Sequence, residues 1–300
     1  MTETYSTSRV DAPVIGAAPR TTAGPSDGTA TVGRTPRART YLMCPPEHFD
    51  VQYAINPWMT SGEPVDRRRA VRQWQDLHDI YRLLGHQVRL IDPLPGLPDM
   101  VFAANGATVI GGQALGARFR HPQRAGEGPA YLAWLRSNGF PAARESALVN
   151  EGEGDIILAA GVILAGHGFR TDVFVGHELE LLFGLPVLSL RLIDPRFYHL
   201  DTALCVLDAG TVAYYPAAFD DASRTAIAAH FSELIEAGED DAAVLGLNAV
   251  SDGQHVVLPA QARGLAAALA ARGFEPVPVD VSEFRKAGGG PKCCTLELRP

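Results

Sequence analysis

The chain has 300 residues, of which 46% are hydrophobic and 20% are charged, and its formal net charge at pH 7 is −8. This is the composition of a globular protein with enough chain to bury a large core. The acidic balance, without long runs of lysine or arginine, argues against binding to nucleic acid or an anionic membrane, and no apolar segment approaches the ~20 residues of a membrane span.

The first 37 residues are rich in Thr, Ser, Gly, Pro and Ala and contain hardly any large apolar side chain. Such a segment buries too little surface to offset the entropy lost on ordering it. We therefore predict a disordered N-terminal tail over residues 1–37 and a single folded domain over residues 38–300. The N-terminus also lacks a basic start followed by an apolar core, and only four cysteines are present, so we expect a reduced cytoplasmic protein.

Apolar patterns and turn residues predict alternating strands and helices along the rest of the chain. The predicted strands cover residues 40–44, 86–91, 100–104, 107–110, 156–164, 187–192, 202–207, 211–215, 249–251, 255–258 and 275–281. The predicted helices cover residues 65–84, 129–138, 171–182, 220–235 and 260–272. The recurring unit is a hairpin, a helix and a strand, which is typical of an α/β domain built from repeated modules rather than of a doubly wound sheet.

An acid and an amide flank a short apolar segment near residue 100. Asp99 and Asn105 are six residues apart, and on a strand an even spacing places two side chains on the same face. Such a pair lies either on a solvated strand edge or in a binding site, and the pattern alone leaves both interpretations open.

Three carboxylates and two glycines precede the apolar segment at 156–164. Glu151, Glu153 and Asp155 alternate with the glycines, and like charges this close together are unfavourable in a structural loop that is buried. A solvated acidic turn and a site at the mouth of the following strand are therefore the two interpretations.

One of the nine histidines stands at the start of a predicted strand with an aspartate two residues later. His199 is followed two residues later by Asp201, at the start of a predicted strand. A histidine with a carboxylate close to it can serve as a general acid or base. We predict that the other eight histidines lie on the surface or serve in packing.

Arginines occur in two loops that contain glycine. Arg118 lies in one of them and Arg170 in the other, and the planar fork of arginine suits a carboxylate ligand. An ordinary surface position is the alternative for each of them, as it is for the nearby Arg120 and Arg124.

Near the C-terminus, a glycine-rich loop leads into two adjacent cysteines. Residues 288–290 are glycines, which let the backbone approach a ligand closely, and Lys292 precedes Cys293 and Cys294. Positive charge favours the thiolate, so this segment is a setting for a nucleophile. A pair of buried structural thiols is the alternative.

Taken in order, these clusters resemble the guanidine-modifying (amidinotransferase or pentein) superfamily, and within it the dimethylarginine dimethylaminohydrolases and the arginine-hydrolysing enzymes. The shared set is the acid and amide six residues apart, an E-G-x-G-D motif, the histidine, and a C-terminal G-G-x-x-C-x-T. The resemblance covers residues 40–300. It implies a five-bladed α/β propeller of ββαβ modules, with the active site in a central channel.

The resemblance also implies roles for individual residues. Cys293 matches the nucleophile, because the cysteine of the family is followed by any residue and then by Ser or Thr, which here is Thr295. His199 matches the catalytic histidine, and Asp99 matches an acid that holds the guanidinium. Asn105 stands where the hydrolases of the family often carry a second acid, a departure shared by the arginine dihydrolase-like branch.

The acidic partner of the histidine is expected in the segment 151–155. The usual family motif is E-G-G-D, and this chain has one extra residue, so Glu151 and Glu153 both fit. We favour Glu151, with Asp155 as a second contact. Arg118 and Arg170 match positions that grip the carboxylate of an amino-acid substrate.

The implied reaction is hydrolysis of a guanidinium C–N bond in dimethylarginine or arginine. The thiolate attacks the guanidinium carbon, dimethylamine or ammonia leaves, and water then converts an S-alkylthiouronium intermediate to citrulline. This chemistry needs no metal or organic cofactor, and the implied partner is a small guanidino amino acid. The alternatives are an arginine dihydrolase or deiminase, an amidinotransferase, and a non-catalytic binding propeller. The oligomeric state stays open, a homo-oligomer included.

Overall fold

The computed structural model describes residues 33–60 and 63–300, and Gly33–Pro300 is one compact unit. The predicted disordered tail falls mainly on residues 1–32, which lie outside the described residues. Contacts with the folded unit begin ahead of the predicted start at residue 38, because Arg34 donates to the backbone oxygen of Arg272 at 3.0 Å. No helix in the described part of the chain is both long enough and apolar enough to cross a bilayer.

Strands and helices alternate along the described chain. The strands are β1 (Thr40–Met43), β2 (Gln87–Leu90), β3 (Ala107–Ile110), β4 (Gln113–Gly116), β5 (Arg144–Glu145), β6 (Ile156–Ala159), β7 (Val162–His167), β8 (Val187–Arg191), β9 (Leu204–Val206), β10 (Thr211–Tyr214), β11 (Glu233–Glu236), β12 (Val250–Ser251), β13 (His255–Pro259), β14 (Glu275–Val279) and β15 (Leu296–Glu297). The helices are α1 (Arg67–Leu83), α2 (Glu127–Ser137), α3 (Val175–Phe183), α4 (Leu200–Ala203), α5 (Asp221–His230), α6 (Glu239–Ala242), α7 (Arg263–Ala270) and α8 (Ser282–Arg285).

These elements build five three-stranded sheets of the same construction. In each sheet an antiparallel pair of strands is followed by a helix and then by a third strand, which lies parallel to the middle one. Four of these modules are continuous in sequence: β3-β4-α2-β5, β6-β7-α3-β8, β9-β10-α5-β11 and β12-β13-α7-β14. The hairpin, helix and strand unit predicted from the sequence is therefore confirmed.

The remaining module joins the two ends of the folded unit. Its strand order is β15-β1-β2. Strand β1 is parallel to β2 and antiparallel to β15, so that Leu42 pairs with Leu296. The strand that completes the first sheet thus comes from the far end of the chain, directly after the two adjacent cysteines.

The helices cover their sheets because apolar side chains recur at helical spacing. In α1 the buried side chains include Trp74, Leu77 and Tyr81, which are three or four residues apart and so share one face. Burying a side chain such as Leu77 contributes about 2 kcal/mol. The same core cluster contains Cys293 and Cys294, so both cysteines belong to a packed part of the protein.

The strand predicted over residues 100–104 is wrong. The chain forms two consecutive 3₁₀ helices there, Pro98–Val101 and Ala103–Gly106. The Ala104 N–H donates to the backbone oxygen of Cys293 at 3.0 Å rather than to a neighbouring strand of a sheet. The apolar run therefore reflects burial in a turn, and the idea that the flanking acid and amide share one strand face is also wrong.

Two other predicted elements divide into shorter ones. The predicted strand 156–164 is the hairpin of β6 and β7, turned at Ala160 and Gly161, where φ is 41° and 83°. Ala-Gly lacks the Asn-Gly or Asp-Gly signal of such turns. The predicted helix 220–235 ends at His230, and β11 follows it.

Candidate active site

Buried polar side chains occur at one recurring position of the modules. The first strands of the five modules, β3, β6, β9, β12 and β15, are each preceded by a short turn. These turns carry polar residues that are at most 2% exposed: Asp99, Asn105, Glu151, Asp155, His199, Asp201, Asn248 and Cys293. Because equivalent turns of all five modules contribute, side chains that are far apart in sequence come into contact.

His199 is held by a buried anion. Its Nε2 lies 2.8 Å from Glu151 Oε2, and the same carboxylate oxygen accepts a hydrogen bond from Arg170 Nη1, also at 2.8 Å. Burial alone would raise the pKa of Glu151, but Arg170 and then His199 lower it well below its usual range. Glu151 is therefore charged, and it fixes the ring orientation of His199.

Cys293 is embedded between an acid and an amide. Its thiol donates to Asp201 Oδ2 at 3.3 Å, and Asn248 Nδ2 donates to the sulfur at 3.1 Å. The Cys293 N–H donates to Asn248 Oδ1 at 3.0 Å. Burial, and then the charge of Asp201, raise the pKa of Cys293, while burial raises the pKa of Asp201 to about 7. Without a ligand, the sulfur is therefore a thiol rather than a thiolate.

Arg124 organises the acid and amide side of the site. Its Nη1 donates to Asn105 Oδ1 at 2.9 Å, and its remaining N–H groups bind Glu127 and the backbone oxygen of Asp99. The Tyr53 hydroxyl donates to Asp99 Oδ2 at 2.9 Å. Because Arg124 engages the amide oxygen of Asn105, the amide nitrogen points away from Arg124.

Four polar atoms of these residues are buried and have no hydrogen-bond partner among the described residues. They are Asp99 Oδ1, Asn105 Nδ2, His199 Nδ1 and Asp201 Oδ1. A Cβ at Gly154 would lie 2.5 Å from Asn105 Nδ2 and 3.0 Å from His199 Nδ1, so these two nitrogens face the same place. Each unmade bond costs about 1–3 kcal/mol. A ligand with several N–H groups can recover that cost, since most of the four atoms are acceptors.

The family follows from comparison with known proteins. The family model described as N,N dimethylarginine dimethylhydrolase, eukaryotic, matches residues 47–300. The chain belongs to this family. Membership makes the protein a hydrolase acting on C–N bonds, and the five modules are the blades of the pentein α/β propeller that the sequence predicts.

Individual relatives of the dimethylarginine dimethylhydrolase family agree with this assignment. The N(G),N(G)-dimethylarginine dimethylaminohydrolase of Mycobacterium tuberculosis is 55% identical over 267 residues, which are 89% of this chain and 88% of that protein. The bifunctional arginine dihydrolase/ornithine cyclodeaminase AgrE of Nostoc is 40% identical over 86% of this chain. This chain spans only 37% of AgrE.

Solved structures match the fold. The N-terminal domain of ArgZ, a cyanobacterial arginine dihydrolase that was solved bound to its substrate, superposes with a TM-score of 0.84 at 39% identity, over 87% of this chain and 98% of that one. The dimethylarginine dimethylaminohydrolase of Pseudomonas aeruginosa, in complex with citrulline, gives a TM-score of 0.74 at 20% identity, over 87% of this chain and 99% of that one. The second likeness concerns the fold alone.

Not every residue that the sequence suggested lies beside the unpartnered atoms. Arg118 is exposed and donates to the backbone oxygen of Ala147 at 2.8 Å. Its backbone forms an isolated antiparallel β-bridge with Asn150. With the chain held in this way, the Arg118 side chain lies outside the buried cluster. The buried arginine beside the acid and amide is Arg124, six residues further on, which the sequence left as one of several alternatives.

Asp155 is in the cluster but supports its backbone. Its two carboxylate oxygens accept hydrogen bonds from the Leu200 N–H at 2.9 Å and the Thr171 hydroxyl at 2.7 Å. Leu200 begins α4, so the expectation that His199 starts a strand is wrong. Asp155 thus fixes the turn that follows His199.

The sequence interpretation overlooked Asn248 and underrated Asp201. Asn248 stands in no recognisable motif, since a lone asparagine beside a hairpin is common. The signal that finds it is the module repeat: a buried polar residue precedes the first strand of each of the other modules, and Asn248 holds that position before β12. The sequence suggested Asp201 only as an acid near His199, whereas in the structure it contacts the thiol of Cys293.

Proposed function

We propose that this member of the dimethylarginine dimethylhydrolase family converts dimethylarginine to citrulline and dimethylamine through a covalent adduct at Cys293. The observation that carries the proposal is the set of four unpartnered atoms on Asp99, Asn105, His199 and Asp201. Asn105 Nδ2 and His199 Nδ1 face the same place, and Asp201 also contacts the thiol of Cys293. The two carboxylate oxygens, Asp99 Oδ1 and Asp201 Oδ1, are free to accept N–H groups of a cation. The 55% identity with the Mycobacterium tuberculosis enzyme supports the choice of substrate.

The first step is binding of the substrate cation. Asp99 Oδ1 and Asp201 Oδ1 accept hydrogen bonds from the guanidinium and hold its plane. A cation beside Cys293 favours the thiolate over the thiol, which offsets the burial and the Asp201 charge that raise the pKa of Cys293 in the free protein. Cys293 is therefore activated when the substrate arrives: its S–H bond breaks, and the proton passes to His199, which becomes the imidazolium used in the next step.

The second step is attack of the Cys293 thiolate on the guanidinium carbon. The C–S bond forms and gives a tetrahedral adduct. Protonated His199 hands a proton to the departing nitrogen, so that dimethylamine leaves neutral and an S-alkylthiouronium remains. Glu151 stays charged throughout and stabilises the imidazolium that this step requires.

The third step is hydrolysis of the intermediate. Neutral His199 takes a proton from water, the resulting hydroxide adds to the same carbon, and the C–S bond breaks to release citrulline and Cys293. A solved form of the relative ArgZ is covalently bonded to a reaction intermediate, which supports a covalent route. Arg170, whose Nη1 is directed at Glu151, fixes that carboxylate in this proposal rather than gripping the substrate carboxylate.

Arginine is the second candidate substrate, because the arginine dihydrolase AgrE is 40% identical and Asn105 stands where the family's dimethylarginine hydrolases often carry an acid. Since Arg124 holds the amide oxygen of Asn105, the side chain offers the site an N–H donor. This donor cannot pair with the guanidinium of either substrate, but it can bind the carbonyl oxygen of citrulline, the product of both.

A product assay tests the proposal. Purified protein is incubated separately with dimethylarginine, arginine and citrulline, and the products are identified by mass spectrometry beside the Cys293→Ser variant. We expect citrulline and dimethylamine from dimethylarginine, and a covalent adduct on Cys293 in quenched samples. Release of ammonia from arginine at a higher kcat/KM selects the second candidate. No turnover of any of the three, together with no adduct, overturns both.

We also infer a cytoplasmic location. The four cysteines, Cys44, Cys205, Cys293 and Cys294, are all free and buried. Free buried thiols are typical of proteins kept in a reducing compartment, and the proposed chemistry requires one of them to stay reduced.

A further inference from the structure

Glu153 is a buried carboxylate that the proposed chemistry leaves unused. It is 1% exposed and lies two residues after Glu151 in the same turn, but its side chain meets the C-terminal segment. One of its oxygens accepts hydrogen bonds from Lys292 Nζ at 2.8 Å and from the Glu297 N–H at 3.1 Å. The other oxygen binds the guanidinium of Arg299.

Lys292 connects this carboxylate to the turn that carries Cys293. Besides binding Glu153, its Nζ donates to the backbone oxygen of Thr295 at 3.0 Å, so the lysine side chain spans the two cysteines. The backbone of Cys293 is otherwise held through Asn248 and through the Ala104 N–H. The turn is therefore tied to three different modules, and the attachment through Glu153 is ionic.

We propose that Glu153 is a positioning residue for the reaction, because by holding Lys292 it fixes the Cys293 turn against the turn that carries Glu151. This proposal rests on the proposed function, in which Cys293 is the nucleophile. A single short turn then orients both partners: Glu151 sets the ring of His199, and Glu153 sets the thiol opposite it. The extra residue of the E-G-E-G-D segment is thus part of the machinery.

The electrostatics of the group are consistent with a permanent anchor. Burial alone would raise the pKa of Glu153, but Arg299 and then Lys292 lower it, so the carboxylate is charged. Removing one member of a buried ion group leaves its partners uncompensated. The other ionisable groups that act on the Cys293 thiol are Asp201, Cys294 and Tyr198, and the variants below leave Asp201 and Tyr198 unchanged.

Turnover provides the first test. Glu153→Gln and Lys292→Met are compared with Glu283→Gln, a control that removes a carboxylate of similar burial (3% exposed) whose lysine partner, Lys286, lies 2.8 Å away. We expect kcat to fall at least about tenfold in the first two variants, since displacing a reacting group by about 1 Å can cost about a hundredfold. KM should stay within about threefold, and the control should match the wild type.

The pH dependence of iodoacetamide alkylation provides the second test, in a Cys294→Ser background so that only Cys293 of the pair reacts. Glu153→Gln leaves uncompensated the charge of Lys292, the residue that precedes Cys293 in the chain, so the midpoint pH of alkylation should fall. Lys292→Met removes that charge, so the midpoint should rise. A merely structural carboxylate would lower the yield of folded protein and leave both midpoints in place.

The proposal is overturned if Glu153→Gln keeps kcat within about twofold of the wild type, or if neither midpoint moves. Should Glu153→Gln fail to fold, Lys292→Met decides by the same two readouts. Failure of the proposed function looks different: the wild type then turns over no guanidino substrate, or Cys293→Ser keeps turnover. In that case the alkylation midpoints still decide whether Glu153 positions the thiol.

Discussion

His199 presents one ring nitrogen to Glu151 and leaves the other free. Nε2 lies 2.8 Å from the Glu151 carboxylate, whereas Nδ1 is buried without a partner among the residues that the structure describes. A ring nitrogen that faces a permanent anion carries the proton, so Nδ1 is the nitrogen available to exchange a proton with a ligand. Of the two glutamates that fit the sequence, Glu151 is the one in contact with His199.

Replacing Glu151 by Gln should remove catalysis with little change in substrate affinity. The amide keeps the size of the side chain but not the charge that stabilises the imidazolium, so we expect kcat to fall about 100-fold or more with KM within about threefold. Arg170 loses its buried countercharge, and the free energy of unfolding should drop by about 3 kcal/mol. Steady-state kinetics and urea unfolding measure both effects; a kcat equal to that of wild type contradicts the assignment.

The two adjacent cysteines should behave differently. Cys293 contacts Asp201 and Asn248, whereas Cys294 is fully buried in a core cluster. We expect Cys293→Ser to reduce kcat below detection and Cys294→Ser to keep it within about threefold, because only the first removes the nucleophile. The opposite pattern in a turnover assay would transfer the role to Cys294.

Asp201→Asn should change how stability depends on pH. Burial raises the pKa of Asp201 from 3.8 to about 7, so the folded state binds this proton more tightly than the unfolded state does. The associated stability is fully present below pH 3.8, declines as the pH rises, and is lost above about pH 7. Asparagine is neutral throughout, so the variant should gain thermal stability over the wild type at pH 8 but not at pH 4, while losing activity.

The control for this effect lies in the other buried acids. Burial raises the pKa of Asp155 to about 6 and that of Glu127 to about 7, which gives stability the same dependence in both proteins. The difference between variant and wild type therefore isolates Asp201. Equal melting curves for the two proteins at pH 8 would show that the charge of Asp201 does not destabilise the folded protein.

Gly154→Ala should block the site without unfolding the protein. The new methyl group would lie 2.5 Å from Asn105 Nδ2 and 3.0 Å from His199 Nδ1, closer than van der Waals contact, in the space where a ligand completes their hydrogen bonds. We expect kcat/KM to fall about 100-fold. Gly238→Ala, where no atom lies within 4 Å of the added Cβ, is the matched control and should keep wild-type kinetics.

The sequence carries most of the repeated architecture, because α1, α2, α3 and α7 bury apolar side chains at helical spacing and end shortly before a glycine. Prediction from the sequence fails where the order of apolar residues reflects burial on all sides and not the period of a helix or a strand. The segment from Pro98 to Gly106 is apolar because it is enclosed on all sides, and a short apolar run cannot distinguish a strand from a 3₁₀ turn. The Ala160-Gly161 turn is missed because its residues are not the usual ones for a hairpin.

The candidate site divides in the same way. Cys293, His199, Asp99 and Asn105 stand in motifs whose order along the chain points to one family, so they can be found without coordinates. The role of Asn248 comes from packing of one module against another, which no local pattern encodes. Arg118 is exposed and Arg124 is buried because of the way the chain pairs at the β-bridge between Arg118 and Asn150. Residue type alone cannot distinguish two neighbouring arginines.

The first sheet is incomplete without β15, so it lacks one strand while the C-terminal segment is still being synthesised. A nascent chain that has emerged from the ribosome as far as β14 holds the strands of four complete modules, together with Asp99, Glu151 and His199. It still lacks the thiol, and β1 has no outer partner. Translation of the same short segment thus supplies both the closing strand and the proposed nucleophile, so we expect chains that end before residue 293 to be inactive.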